Sequence, residues 1–201
     1  MQSMIYTHGT ALQVEDPAQL AGFAKVGWGA QIWFVPPRPG MDARMPEAWE
    51  TRGPGSWFHL PLTSAHDPGI YTRDVLTHVT LVLETTNCSI TAFHVYDGPT
   101  IVEQVSFHHE PPYRSGMQGD FSKPFTHELK EPHKLRFAVG LSFFACSFFD
   151  DFRPRLDTQV QAPPAILTIA AGGATYQRDS LLERIVSDVV QIGDVSFRHG
   201  G

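Results

Sequence analysis

Alternation at period two is the feature that most constrains this chain. In VLTHVTLVLE (75–84), Val75, Val79, Leu81 and Leu83 fall on one face, and Leu76, His78, Thr80, Val82 and Glu84 on the other. That spacing makes a β-strand with two unlike faces. SITAFHVYDG (89–98) and TIVEQVSFHH (100–109) follow, separated by Asp97-Gly98-Pro99, a combination that favours a tight turn. Three consecutive antiparallel strands are expected over 75–109. With Asp97 and Gly98 as the central turn residues, Tyr96 faces Pro99 and His94 faces Ile101.

The same pattern recurs along the chain. KLRFAVGLSFFACSFF (134–149) is too long, aromatic and β-rich for a helix and reads as one long or bent core strand with a bulge or bend at Gly140. AILTIAAGG (165–173) reads as another, bounded by Pro163-Pro164 and Gly172-Gly173. IYTHGTALQVE (5–15), KVGWGAQIWFV (25–35) and SWFHLPL (56–62) add further strands. About eight or nine strands separated by turn signals predict a single all-β domain, a jelly-roll-like antiparallel β-sandwich.

Three segments break the pattern. Residues 36–55 and 110–124 are rich in Pro and Gly and much longer than a hairpin needs, as functional loops are. DSLLERIVSDVVQI (179–192) places Leu181, Leu182, Ile185, Val186, Val189 and Val190 at helical spacing, with Ser180 and Glu183 at capping-box spacing. The sandwich is therefore assigned to 1–178 and an amphipathic helical tail to 179–201, packed on its own sheets or forming a homodimer through 179–192. DDFRPRLD (150–157) reads as a solvated hairpin tip.

Composition narrows the partners. The 201 residues carry 15 Lys+Arg against 21 Asp+Glu, a formal charge of -6, with no basic run, which argues against nucleic acid. No window reaches the roughly 18 apolar residues of a membrane span, and the first residues lack a signal-peptide pattern, so a cytoplasmic protein without a membrane partner is expected. Cys88 and Cys146, the two cysteines, lie in strand-like apolar runs and are expected as buried, reduced thiols.

YTHGTALQVED, GWG, SWFHLPL and above all ITAFHVYDG resemble an uncharacterised domain-of-unknown-function family of small single-domain bacterial and fungal β-sandwich proteins. That family shares an opening Y-x-H-G-T, a W-F-H-[IL]-P-[IL] strand, a V-x-V-Y-D-G hairpin and a P-H-x-[IL]-x-[FW]-[GA]-[IV]-G stretch. PHKLRFAVG (132–140) matches the last, and the resemblance spans roughly residues 5–175. It implies a β-rich single domain and no particular chemistry. The insertions around 36–55 and 64–74 and the helical tail depart from it.

Several chemistries are disfavoured by absence: there is no G-x-G-x-x-G, P-loop, G-x-S-x-G, H-E-x-x-H or zinc-type Cys/His array. No cofactor is expected. In SFHHEPP, His108 and His109 point to opposite faces of a regular strand and cannot share a metal without a bulge, so no metal is expected. His109 continues the stripe of Ile101, Val105 and Phe107 beside the 110–124 loop, where a sandwich opens into a pocket. His94 and Tyr96 share a face with Ile90 and Ala92 and on an inner wall would supply general base and acid. The alternative is a core pair whose phenol bonds to backbone. Candidate catalytic residues are His94, Tyr96 and His109. Candidate ligand contacts are Trp28, Trp49, Trp57, His59 and Tyr113, with core packing as the alternative for Trp57.

These residues point to a protein that binds a small organic molecule. If it is an enzyme, proton transfer by His and Tyr suits a cofactor-independent isomerase or cyclase of specialised-metabolite biosynthesis. The alternatives are a lectin-like carbohydrate-binding module without turnover, stacking a sugar on Trp28 or Trp49 and meeting its hydroxyls with Asp150, Asp151 or Asn87, and a structural protein dimerising through 179–192. An enclosed apolar cavity would favour the first, an open groove with a flat exposed Trp the second.

Overall fold

A computed structural model describes residues 2–35, 52–63, 73–107, 117, 119–148 and 164–179. In chain order the strands are β1 (Gln2–His8), β2 (Gln13–Val14), β3 (Leu20–Val26), β4 (Gly29–Phe34), β5 (Arg52–Pro61) and β6 (Arg73–Thr86). They continue with β7 (Cys88–Asp97), β8 (Thr100–Ser106), β9 (Phe125–Lys134), β10 (Val139–Phe148) and β11 (Ala165–Asp179). One sheet has the order β3-β4-β11-β6-β9, with β1 also pairing β11; the other has the order β2-β5-β10-β7-β8. All pairings are antiparallel, and the two sheets form a β-sandwich.

From β4 onward the pairing is nested: β4 with β11, β5 with β10, β6 with β9 and β7 with β8. The chain is thus one long antiparallel ribbon folded over on itself. Its inner faces meet in a core where Phe58 stacks on Phe143 at 5.5 Å and meets Phe34 edge-on at 6.2 Å, joining the sheets. Leu81, Leu83, Phe93, Val95, Leu141, Leu167 and Ile169 fill the rest of it, each side chain contributing about 1.5–3 kcal/mol by leaving water. At Gly9 the chain passes so close to β11 that a Cβ would collide with the carbonyl oxygen of Ile169, which accounts for glycine in YTHGT.

The expected strands are present, but their partners differ. The 75–109 segment is not three neighbouring strands: β6 joins β11 and β9, whereas β7 joins β10 and β8. Only one residue, Asn87, links β6 to β7, and it takes φ 49°, a conformation that Asn tolerates. Its Nδ2 donates to the Pro164 carbonyl at 3.0 Å. So short a link sends the chain across to the other sheet. The β7–β8 hairpin is present, with Asp97 opposite Thr100 and Tyr96 opposite Ile101. Its central residues are therefore Gly98 and Pro99, one position later than expected. Gly98 at φ 58° suits the first central position of a II′ turn.

Other boundaries also moved. The 134–149 segment breaks at 135–138, between β9 and β10, and Gly140 lies inside an intact ladder. Gly172 and Gly173 do not end their strand, because β11 continues to Asp179 with β1 and β6 on its two sides. The 25–35 segment is the end of a hairpin turning at Gly27 and Trp28, and 5–15 bends at a 3-10 turn, Gly9–Ala11. Strand β9 was not foreseen. The hairpin tip expected at 150–157 lies outside the described residues. Asp179 ends a strand, and the rest of the expected helix lies outside the described residues, as do 36–51, 110–116 and 118 of the two long loops and the last two residues, 108–109, of the expected third strand. Among the described residues no helix is long and apolar enough to cross a membrane.

Candidate functional site

The outer face of the five-stranded sheet is built by alternation. In β5, Phe58 and Leu60 point into the core; in β10, Leu141, Phe143 and Ala145; in β7, Phe93 and Val95. The intervening residues Trp57, His59, Ser142, Phe144, His94 and Tyr96 therefore point away from the core. Register aligns them in rows. One row crosses all five strands: Gln13, His59, Ser142, His94 and Gln104. The next holds Trp57, Phe144, Ala92 and Ser106, and on the other side lie Pro61, Gly140, Tyr96 and Ile101.

Side chains from these rows touch. The Trp57 ring lies 4.7 Å from His94 and 5.6 Å from Phe144, centroid to centroid. The Tyr96 hydroxyl lies 3.4 Å from His94 Nδ1. Ser142 Oγ lies 2.8 Å from His59 Nδ1, and His59 Nε2 lies 3.3 Å from Glu15 Oε2. Glu15 is held there because its N–H donates to the Trp57 carbonyl at 3.0 Å, just beyond β2. Burial among the rings holds the His94 imidazole below its ordinary pKa of 6.5, so it is neutral at pH 7.

Four of the expected site residues, Trp57, His59, His94 and Tyr96, thus share one face. It is the outer face rather than an inner wall. The reason is a bulge: the β7–β10 register shifts so that Ala92 faces Phe144 while Ile90 faces Ala145. Thr91 is the extra residue, and it sends Ile90 into the core, away from Ala92, His94 and Tyr96. Neither His94 nor Tyr96 is a core residue. Trp28 lies apart, at the β3–β4 turn of the other sheet, 50% exposed and edge-on to Phe121 at 6.4 Å. His109, Trp49 and Tyr113 lie outside the described residues. Glu15, Ser142 and Phe144 were missed; alternation in GLSFFACSF marks Ser142 and Phe144 as outward, but only the partners across the sheet give them meaning.

A second polar cluster closes the side of the sandwich between β8 and β9. Glu103 points inward from β8 and is 7% exposed. Lys130 Nζ lies 3.3 Å from Glu103 Oε1, and the Lys130 backbone N–H donates to Oε2. His127 Nε2 lies 3.9 Å from Oε1, with its ring 4.9 Å from Phe93. An inward charge on the last strand of a sheet discourages pairing with a second chain, so this cluster reads as structural. Among the described residues, no group of three or more His, Cys, Asp or Glu side chains is placed to hold a metal ion.

No family model matches the chain, and no curated protein matches it either.

Proposed function

We propose that the outer face of the five-stranded sheet is a ligand-binding face, and that its ligand is a small ring-shaped organic molecule of the carbohydrate class. The observation that carries this reading is the adjacency of an aromatic platform, Trp57 with Phe144 and His94, to a hydrogen-bonding row, Gln13, His59, Ser142 and Gln104. A sugar ring has one apolar face of C–H bonds and a rim of hydroxyls. The platform suits the first and the row suits the second. The nested strand pairing supports jelly-roll wiring for the domain, and the net charge of -6 supports a partner other than nucleic acid.

One observation favours a second reading, an acid–base isomerase or cyclase. His94 is neutral at pH 7 and sits beside the Tyr96 hydroxyl, the state a general base needs.

Titration of the full chain with a panel of neutral and acidic mono- and oligosaccharides, followed by amide chemical shifts, tests the main reading. Shifts confined to the five-stranded sheet and centred on β5, β7 and β10, abolished by Trp57→Ala in a variant that still melts cooperatively, are expected. A panel that moves no signal at millimolar concentration sinks it.

A further inference from the structure

We propose that Ser142 is a nucleophile, activated by His59 and Glu15, and that this face removes acyl groups from the oxygens of its ligand. The substrate class, an O-acylated saccharide, rests on the reading above; the nucleophile does not.

Three strands bring the groups into line. Gln13 and Ser142 both lie opposite His59, one on each side. The imidazole is held between Ser142 Oγ at 2.8 Å and Glu15 Oε2 at 3.3 Å. A carboxylate on one ring nitrogen fixes the tautomer in which the other accepts a proton, the arrangement that makes a serine hydroxyl reactive. Carboxylate and imidazole are reachable, at 59% and 41% side-chain exposure. Ser142 lies at the floor between them and His94, 6% exposed.

The chemistry balances without a cofactor. Ser142 Oγ bonds to the carbonyl carbon of the ester while its proton passes to His59. The C–O bond to the sugar then breaks, and the sugar oxygen leaves with the proton from His59. Water attacks the resulting acyl-serine, giving its proton to His59; the carboxylic acid departs, and the serine oxygen recovers its proton. The sum is ester plus water to acid plus alcohol. Opposite Ser142 on β7 stands His94. A Tyr96 hydroxyl donating to His94 Nδ1 leaves the proton on Nε2, an N–H donor suited to the oxyanion.

The test uses the full chain and a fluorophosphonate probe, with p-nitrophenyl acetate turnover as a second readout. Wild type is expected to label at Ser142, located by peptide mass spectrometry. Ser142→Ala should abolish label and turnover, and His59→Ala should lower both by about 10²-fold, the size of a lost general base. Glu15→Gln should give a smaller loss of both. Circular dichroism of each variant shows whether it is folded; for a variant that is not, the wild-type labelling site decides alone. No label on folded wild type, or label at a residue other than Ser142, overturns the proposal. Labelling at Ser142 in a protein that binds no saccharide keeps the nucleophile and removes only the sugar. Saccharide binding without labelling removes the nucleophile and leaves the binding face.

Discussion

His133 Nε2 lies 3.0 Å from Asp97 Oδ2, and this contact ties together two segments that stand out in the sequence. Asp97 belongs to HVYDG and His133 to PHKLRFAVG. The same carboxylate accepts the backbone N–H of Arg136 at 2.8 Å and of Phe137 at 2.7 Å. Gly98, next in the chain, donates its N–H to the Ala138 carbonyl at 2.9 Å. The β7–β8 turn and the β9–β10 turn are therefore one hydrogen-bonded unit, and the two motifs are halves of a structural lock.

Breaking that lock has a calculable cost. Asp97 is 2% exposed, so Asp97→Ala leaves buried N–H groups without an acceptor. Unfolding in urea at pH 7 is expected to show a loss of about 2–4 kcal/mol, with a smaller loss for Asp97→Asn, which keeps one acceptor. Burial pushes the Asp97 carboxyl up, but the hydrogen bonds from Arg136, His133 and Phe137 outweigh it and hold the carboxyl below its ordinary 3.8. A carboxyl depressed by folding stabilises above its unfolded value and loses that contribution as pH falls through its folded value. Wild type is thus expected to lose this increment below about pH 3.8, and Asp97→Ala to lack that part of the acid slope.

Trp57 and Phe58 are adjacent in sequence and opposite in role. Phe58 is fully buried between Phe143 and Phe34, while Trp57 is half-buried on the outer face. Phe58→Ala is expected to cost about 3–5 kcal/mol. Trp57→Ala should cost only about 1–2 kcal/mol, most of it from lost ring contacts. Urea melts of both variants check the order. A Trp57 variant as damaged as the Phe58 variant would mean that Trp57 is a core residue and that the face lacks its platform.

The strands were legible because alternation is local: WFHL and AFHVYD declare their faces without reference to anything else. Trp57, His59, His94 and Tyr96 carry the same local signal, as polar or amphipathic residues alternating with apolar ones. Partnership is not local. Nothing near β4 says that its partner is β11, and a one-residue arch at Asn87 resembles a hairpin in sequence. Bulges are similarly silent. Thr77 is extra in β6 opposite Thr175 and Tyr176, so Leu76 joins Val79, Leu81 and Leu83 in the core, although strict alternation puts it on the other face. Ser142 and Glu15 acquire meaning only through His59, which is distant from both along the chain.

Cys88 should be chemically silent in the native state. Burial pushes its thiol up to about 12, and its S–H donates to the Ile166 carbonyl at 3.0 Å. Cys146 is buried too, and the two are not joined in a disulfide. Because the thiolate is the reactive form, a disulfide-exchange reagent at pH 8 is expected to modify neither thiol until the protein unfolds. Labelling should then follow the global unfolding rate. Rapid modification of Cys88 in folded protein would contradict its placement.

Burial of His127 makes part of the stability depend on pH just below neutrality. Burial lowers the His127 pKa below its ordinary 6.5; Glu103 opposes that, while Lys130 and His78 add to it. In the unfolded chain the imidazole takes a proton near its ordinary value, whereas in the folded protein it does so only at lower pH. Stability is therefore complete above about pH 6.5 and falls below it until the folded value is reached. Replacing His127 with Phe removes this group, and the slope below pH 6.5 should become shallower. Replacing Glu103 with Gln removes the one charge that favours the imidazolium and leaves Lys130 and His78 in place. His127 is then displaced further, and the loss of stability on acidification should extend to lower pH than in wild type. Urea unfolding between pH 7.5 and 5, with the His127 ring titrated by NMR in wild type and in Glu103→Gln, measures each effect. A Glu103→Gln variant whose slope ends at the same pH as wild type would show that the carboxylate does not act on His127.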